Sequence, residues 1–220
     1  MAMLDINAII QAVAVLALPV IFAITLHEAA HGYAARHFGD PTAWLAGRIS
    51  LNPLRHIDLV GTLLIPVAIL LFSGGSFLFG YAKPVPVDFG RLKKPKQDML
   101  WVAAAGPAAN LAMACFWALM FKFSWAVPLY FSVPLARMAE AGIQINCVLM
   151  VLNLIPLPPL DGGRIAVSLL PHRAAWQFAR LEPWGFPILL LLLFTGILGA
   201  VMNPLVIGAE RIIESIFGLY

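Results

Sequence analysis

Five apolar runs without a charged residue, each close to the length of a membrane span, constrain the fold of this chain more than any other feature. They lie at residues 6–26, 59–82, 99–121, 143–160 and 184–209. A helix needs about 20 apolar residues to cross a bilayer. The 220 residues are 61% hydrophobic and only 11% charged, which excludes an ordinary soluble domain. We therefore predict an all-α, polytopic membrane helix bundle with four to five transmembrane spans, built as one membrane-embedded domain over residues 1–220.

The run at 59–82 is the weakest helix of the five, because it contains four glycines and a proline. We expect it to enter the membrane and return, which is tolerated where protein or water satisfies the backbone. If it does so, eleven of the fourteen Lys and Arg residues lie on the cytoplasmic side and three outside; if it crosses, six lie inside and eight outside. Basic residues concentrate on the cytoplasmic side of membrane proteins. This predicts a multi-pass cell-membrane protein with both termini facing the exterior.

Two further segments are expected to lie at the membrane surface. The segment FSWAVPLYFSVPLA at 123–136 is aromatic, contains two prolines and is too short to span, which predicts an interfacial loop on the exterior side. The tail from residue 205 alternates charged and apolar residues at helical spacing, which predicts an interfacial helix.

The sequence HEAAH at residues 27–31 places ionisable groups beside the first apolar run and matches H-E-x-x-H. Residues four apart share one face of a helix, so His27 and His31 can bind one metal ion with Glu28 beside it. Ionisable residues inside a span are costly and usually functional. The alternative is that they mark the point where the helix leaves the membrane, since Arg36 and His37 follow.

A catalytic zinc ion usually takes three protein ligands and leaves one position open, so the motif requires a third donor. Asp161 is the strongest candidate. It lies in NLIPLPPLDGGR, where three prolines and two glycines interrupt an apolar run. Broken backbone at membrane depth is expected where it lines a cavity. The alternative is that Asp161 only caps a helix, with Gly162 and Gly163 as turn residues.

Taken together, four motifs resemble the site-2 protease family of intramembrane zinc metalloproteases, peptidase family M50. They are HEAAH at 27–31, FGYAKPVPV at 79–87, GPAAN at 106–110 and NLIPLPPLDGG at 153–163. Nothing in the sequence resembles a PDZ or CBS region, so the likeness is to the short form of the family. The resemblance implies a helix bundle that hydrolyses transmembrane substrates near the cytoplasmic side of the membrane.

The resemblance also implies roles for individual residues. His27, His31 and Asp161 would bind one Zn²⁺ per chain, Glu28 would be the catalytic base, and Asn153 would stabilise the oxyanion. The prolines of GYAKPVPV favour extended backbone that could pair with a substrate strand, although a simple linker would have the same composition. The resemblance favours the first reading and implies that the substrate is contacted by Gly80, Tyr81, Ala82, Lys83, Pro84 and Val85.

The expected partners are a transmembrane protein or peptide substrate, the lipid bilayer and a separate regulatory protein, with no nucleic acid. Two other functions could use the same ligands. One is an intramembrane metal transporter, although the sequence shows no second cluster of intramembrane ligands that a pathway would need. The other is a non-catalytic binding protein.

The remaining polar residues of the spans are given structural roles. Gly106 and Asn110 lie four apart in the third run, a spacing that favours close helix packing with the Asn bonding across the interface. His56 and His172 neighbour arginines and are expected to be solvated. The two cysteines, Cys115 and Cys147, lie in apolar runs and are expected only to pack.

Overall fold

The structure is a computed structural model that describes residues 6–56, 58, 61, 64–65 and 83–219, with side chains from residue 15 onward. Most of the predicted re-entrant segment 59–82 therefore lies outside the described residues. So do Gly80, Tyr81 and Ala82 of the predicted substrate loop.

The described part of the chain is all-helical and contains no strand, which confirms the predicted all-α fold. Short 3₁₀ turns occur at Pro53–Arg55 and Phe89–Arg91. The α-helices are α1 (Ile6–His37), α2 (Thr42–Leu45), α3 (Pro95–Ser124), α4 (Leu129–Leu154), α5 (Asp161–Leu169), α6 (His172–Ala179), α7 (Glu182–Phe194) and α8 (Ile197–Phe217).

Three of the described helices are long and apolar enough to cross a membrane: residues Val15–His37 of α1, all of α3 and all of α4. α7 and α8 together would form a fourth span, but they meet at an angle of 83°. Gly196 lies at this bend with a φ of 75°, a left-handed conformation that favours glycine. The uninterrupted run predicted at 184–209 is therefore broken in the structure.

α1 continues eleven residues past the first apolar run, so HEAAH lies on the same helix as the span. Arg36 and His37 occupy its last turn, where positive charge is favourable for the helix dipole. Gly39 follows with a φ of 111° and ends the helix. The two histidines of the motif are thus carried by a rigid element one to three turns before the helix ends.

The predicted exterior loop at 123–136 is partly wrong, because α4 begins at Leu129. Pro128 directly precedes the helix, where a proline is compatible with the start of a helix. Pro134 lies inside α4, and membrane helices tolerate such prolines. The other end of α4 behaves as the sequence predicts: Ile155 is extended, with a ψ of 128°, because Pro156 follows it.

α3 is the central helix and packs against α1, α4 and α5. Between α3 and α4 the buried residues include the small side chains of Ala114, Ala118 and Ala139, which permit close approach of the two helices. Gly142 of α4 lies against the indole of Trp117, and a Cβ at this position would be 2.3 Å from Trp117 Cγ. α1, which carries the motif, packs against both α3 and α4.

The broken segment between α4 and α5 is tightly folded and returns Asp161 to the centre of the bundle. A Cβ on Gly162 would lie 2.3 Å from the Leu154 carbonyl oxygen, and a Cβ on Gly163 would lie 2.4 Å from Pro158 N. These two glycines are needed because the first turn of α5 contacts the backbone that precedes it.

Candidate metal centre and active site

Three potential ligand atoms from two distant parts of the chain converge at one point. His27 Nε2 and His31 Nε2 lie 3.2 and 3.3 Å from Asp161 Oδ2, and 3.1 Å from each other. In a tetrahedral zinc site with bonds of 2.0–2.1 Å, neighbouring ligand atoms lie about 3.4 Å apart. The three side chains therefore have the spacing that a zinc ion requires, and they are the one group in the described residues with the donors for a metal.

Asp161 supplies a second argument for a bound cation. Its Oδ2 atom is buried and has no hydrogen-bond partner in the described residues, although it lies between two imidazole nitrogens. A buried carboxylate oxygen without a partner is costly, and a metal ion would satisfy it. Asp161 does not act as the helix cap, because Leu160 occupies that position and no side-chain cap bond is formed.

The far nitrogen of each imidazole is held by an oxygen atom. His31 Nδ1 donates to the Val102 carbonyl at 2.7 Å, and His27 Nδ1 donates to Asn110 Oδ1 at 2.7 Å. A histidine that donates from Nδ1 keeps its Nε2 lone pair free for a metal, and such partners usually accompany metal-binding histidines. Both imidazoles are thus oriented by α3 toward Asp161.

Gly106 allows α3 to approach the two imidazoles. A Cβ at this position would lie 2.4 Å from His31 Nε2 and 2.5 Å from His27 Cε1, well inside ordinary contact. From the sequence, Gly106 and Asn110 are expected to serve helix packing alone. In the structure both residues also contact the candidate metal centre. Gly106 leaves room for the two imidazoles because it has no side chain, and Asn110 hydrogen-bonds one of them.

Glu28 lies beside this centre and contacts the loop that follows the undescribed segment. Its Oε2 atom accepts a hydrogen bond from Val85 N–H at 2.7 Å. Pro84 and Pro86 flank Val85 and have no N–H, so Val85 is the one backbone donor of this Pro-Val-Pro sequence. The loop 83–88 has no regular secondary structure and reaches the centre through this bond.

A cavity of about 190 Å³ opens beside the centre and has room for several water molecules. Its polar lining consists of the three candidate ligands, Glu28, Asn153 and Arg164. Its other walls are apolar and come from the loop 84–89, from α3 and from the segment before α5.

Some of the remaining predicted residues line this cavity and others do not. Asn153 lines it, and its side-chain amide donates to the Leu149 carbonyl at 3.0 Å. Pro84 and Val85 line it as well. Lys83 is exposed and instead donates its N–H to the His56 carbonyl at 2.9 Å.

The expectation that His56 is solvated is wrong, since its exposure is 2%. Its Nε2 donates to the Ser50 carbonyl at 2.8 Å, and its carbonyl binds Lys83. His56 is buried because the loop after α2 folds back onto the loop 83–88. His172 is exposed, as predicted.

Asp40 is a buried residue that the sequence analysis did not single out. It accepts hydrogen bonds from Thr42 N–H at 3.0 Å, from the Thr42 hydroxyl and from Asp88 N–H at 2.7 Å. Burial by itself raises the pKa of Asp40, but the hydrogen bonds from Thr42 and Asp88 outweigh burial and hold the pKa below its usual value. Asp40 thereby ties the end of α1 to the end of the loop 83–88.

Two curated proteins are similar to this chain over most of its length. "Putative zinc metalloprotease YwhC" of Bacillus subtilis is 37% identical over 206 residues, which cover 92% of this chain and 90% of YwhC. "Putative zinc metalloprotease Rip2" of Mycolicibacterium smegmatis is 31% identical over 180 residues, or 80% of this chain and 64% of Rip2. The chain thus spans less than two thirds of the length of Rip2. No family model and no solved structure matches the chain.

The fold and the site define a helical membrane protein with a candidate metal centre among its helices. The extent of the similarity to YwhC identifies it further: the chain belongs to the same family of zinc metalloproteases as YwhC.

Proposed function

We propose that this chain is an intramembrane zinc endopeptidase of the site-2 protease type, which hydrolyses peptide bonds of transmembrane substrates near the cytoplasmic side. One observation carries the proposal: His27, His31 and Asp161 converge within 3.3 Å beside Glu28 in one cavity. Membership of a zinc metalloprotease family supports the protease activity. The apolar helices that carry the site support its location in the membrane.

Zinc is the cofactor, and His27, His31 and Asp161 would hold it. When bound, it would polarise the substrate carbonyl and lower the pKa of a water molecule. Glu28 would take up a proton from the attacking water and give it to the leaving amine. Its Oε2 atom is fixed by Val85 N–H, which leaves Oε1 for the proton.

We infer that Asn153 stabilises the oxyanion of the tetrahedral intermediate. An amide nitrogen carries two hydrogens, and one of those on Asn153 is used by the Leu149 carbonyl. The second is available to an oxyanion in the cavity that Asn153 lines. Asn153 therefore retains the donor that this role needs.

The loop 83–88 would hold the substrate in an extended form. Lys83 N–H, Val85 N–H and Asp88 N–H already bind His56, Glu28 and Asp40. Pro84 and Pro86 have no N–H to offer, and Arg48 already donates to the Lys83 and Pro84 carbonyls. The loop would therefore bind mainly through the carbonyl oxygens that follow Pro84. A helical substrate cannot donate to them, because its own N–H groups are bonded within the helix. The substrate must therefore unwind locally to pair with this loop.

The concentration of Lys and Arg supports a cytoplasmic position for the end of α1 that carries the site. Water would reach Glu28 by a short route from that side. The partners would be the bilayer, a transmembrane protein or peptide and a separate regulatory protein. Metal transport is less well supported, because the described residues contain a single group of metal-type side chains and no second group along a pathway.

The test is cleavage of a transmembrane peptide by purified protein in proteoliposomes, with zinc content measured on the same samples. Glu28→Gln keeps the shape of the side chain and an oxygen for Val85 N–H, but it cannot accept the proton. We expect it to keep zinc and to lose cleavage by about 10²–10⁴-fold. Glu140→Gln, an exposed position on α4, is the matched control and should cleave normally. Full activity of Glu28→Gln would refute the proposal.

A further inference from the structure

Two buried asparagines connect His27 to the backbone of a different helix. Asn110 of α3 and Asn146 of α4 are both 0% exposed. Asn110 Oδ1 accepts from His27 Nδ1 at 2.7 Å, and Asn110 Nδ2 donates to Asn146 Oδ1 at 3.0 Å. Asn146 Nδ2 in turn donates to the Gly142 carbonyl at 2.8 Å. The result is a continuous chain of hydrogen bonds from α4 to the candidate metal centre.

The direction of this chain is fixed at both asparagines, because a carbonyl oxygen can only accept. The Gly142 carbonyl requires the NH₂ group of Asn146, which turns the Asn146 oxygen toward Asn110. Asn110 Nδ2 also donates to the Ala23 carbonyl at 3.2 Å, so its NH₂ group has two acceptors and its oxygen faces His27. His27 must therefore carry its hydrogen on Nδ1, which leaves the Nε2 lone pair toward Asp161.

We propose that Asn110 and Asn146 are positioning residues that hold His27 in the tautomer able to bind the metal. The inference rests on the proposed function, since it concerns the same metal centre. If Asn146 lost its oxygen, only the longer bond of 3.2 Å to the Ala23 carbonyl would still hold the Asn110 NH₂ group. A fraction of the Asn110 amides could then turn over and present NH₂ to His27 Nδ1. That arrangement favours the tautomer with hydrogen on Nε2, which cannot bind the metal through Nε2.

The two histidines differ in the kind of group that holds Nδ1. His31 Nδ1 is held by the backbone carbonyl of Val102, which no substitution removes. Only His27 depends on side chains for its orientation. Substitutions in the chain of asparagines should therefore weaken one ligand and leave the other in place.

The experiment measures zinc affinity of the metal-free protein in detergent by competition with a chromophoric chelator. Asn146→Leu should bind zinc about 10–100-fold more weakly, the usual effect of losing a group that orients a metal ligand. Ser124→Ala removes another buried polar group of α3, one that bonds only the Phe121 carbonyl, and should leave the affinity unchanged. Wild-type affinity in Asn146→Leu would overturn the role of Asn146.

Two substitutions of Asn110 separate metal binding from stability. Asn110→Asp keeps an oxygen for His27 Nδ1 but places a carboxylate against the Ala23 carbonyl, so the protein should melt earlier yet retain zinc affinity within about threefold of wild type. Asn110→Leu should melt earlier and lose affinity about 10–100-fold. If both variants lose affinity equally, the asparagine is only structural and the inference fails.

A spectroscopic measurement reports the tautomer directly and does not depend on cleavage. Ring ¹⁵N spectra of histidine-labelled, metal-free protein, recorded at alkaline pH so that the imidazoles are neutral, should show His27 with hydrogen on Nδ1 in wild type and a mixture of tautomers in Asn146→Leu. An unchanged spectrum would overturn the inference. A wild type that binds zinc but cleaves nothing would refute the proposed function alone, because affinity and tautomer are measured without substrate.

Discussion

Gly106→Ala tests how closely α3 approaches the candidate ligands. The substitution adds one methyl group to a buried position. Its Cβ would lie 2.4 Å from His31 Nε2 and 2.7 Å from His27 Nε2, whereas ordinary contact begins at 3.4 Å. The imidazoles would have to move by about 1 Å, the difference between 3.4 and 2.4 Å.

A displacement of this size is large for a metal site, where ligand distances are held within about 0.2 Å. The two imidazoles cannot turn away freely, because their Nδ1 atoms are held at 2.7 Å by Asn110 and Val102. We therefore expect zinc affinity to fall by at least about 100-fold. This is more than the usual loss when a residue that hydrogen-bonds a metal ligand is replaced. Helix propensity acts in the opposite direction, since Ala is favoured over Gly by about 1 kcal/mol in a helix.

The assay is zinc stoichiometry after dialysis at a fixed free zinc concentration, together with thermal unfolding of the same sample. Gly208→Ala in α8 is the matched control, because a Cβ there meets nothing within 4 Å. The control should keep its zinc. A Gly106→Ala protein that is fully loaded with zinc and more stable than wild type would refute the geometry of the site.

Two further predictions concern the elements that support the site. Asp40→Asn should lower stability by about 2 kcal/mol at neutral pH, because Asp88 N–H loses a charged acceptor. The pKa of Asp40 is lower in the folded protein than in the unfolded chain. The carboxylate therefore contributes fully to folding stability above the unfolded pKa of about 3.9, and this contribution is lost as pH falls through the folded pKa. The difference from wild type should therefore vanish in acid, as measured by thermal unfolding across pH. Gly185→Ala should lower stability by about 2 kcal/mol, since its Cβ would lie 1.6 Å from the Pro158 carbonyl oxygen.

Each of these two predictions has an outcome that contradicts it. A stability difference for Asp40→Asn that stays constant down to pH of about 2 would show that the carboxylate charge is not what binds the loop. For Gly185→Ala the comparison is Gly199→Ala, an open position in α8 that should be neutral or slightly stabilising. Equal melting temperatures for the two alanine variants would exclude a tight contact between α7 and the segment before α5.

The positions of HEAAH and Asp161 could be anticipated because each depends on local chemistry. Four-residue spacing places His27 and His31 on one face of any helix, and a proline-rich break in an apolar run marks a place where membrane backbone is interrupted. The break between α7 and α8, in contrast, could not be anticipated from the sequence. The run at 184–209 holds four glycines and two prolines, and membrane helices tolerate both residue types, so Gly196 gives no signal distinct from the others.

The contacts of Asn110 with His27, Gly106 with both imidazoles, and Asp40 with Asp88 could not be predicted from the sequence. Each joins residues 48 to 83 positions apart, and each depends on how two elements cross. The one available signal was the presence of polar residues inside an apolar run, which applied to Asn110 and Asn146. Such residues are costly in a membrane, so a search for their partners would have been justified.

The most direct test of the account is the zinc content of purified wild type and of Asp161→Ala, measured beside cleavage of a transmembrane peptide. Wild type should hold one zinc ion per chain, and the variant should lose both zinc and cleavage. Zinc retained at full occupancy in Asp161→Ala would show that Asp161 is not a ligand and would contradict the account.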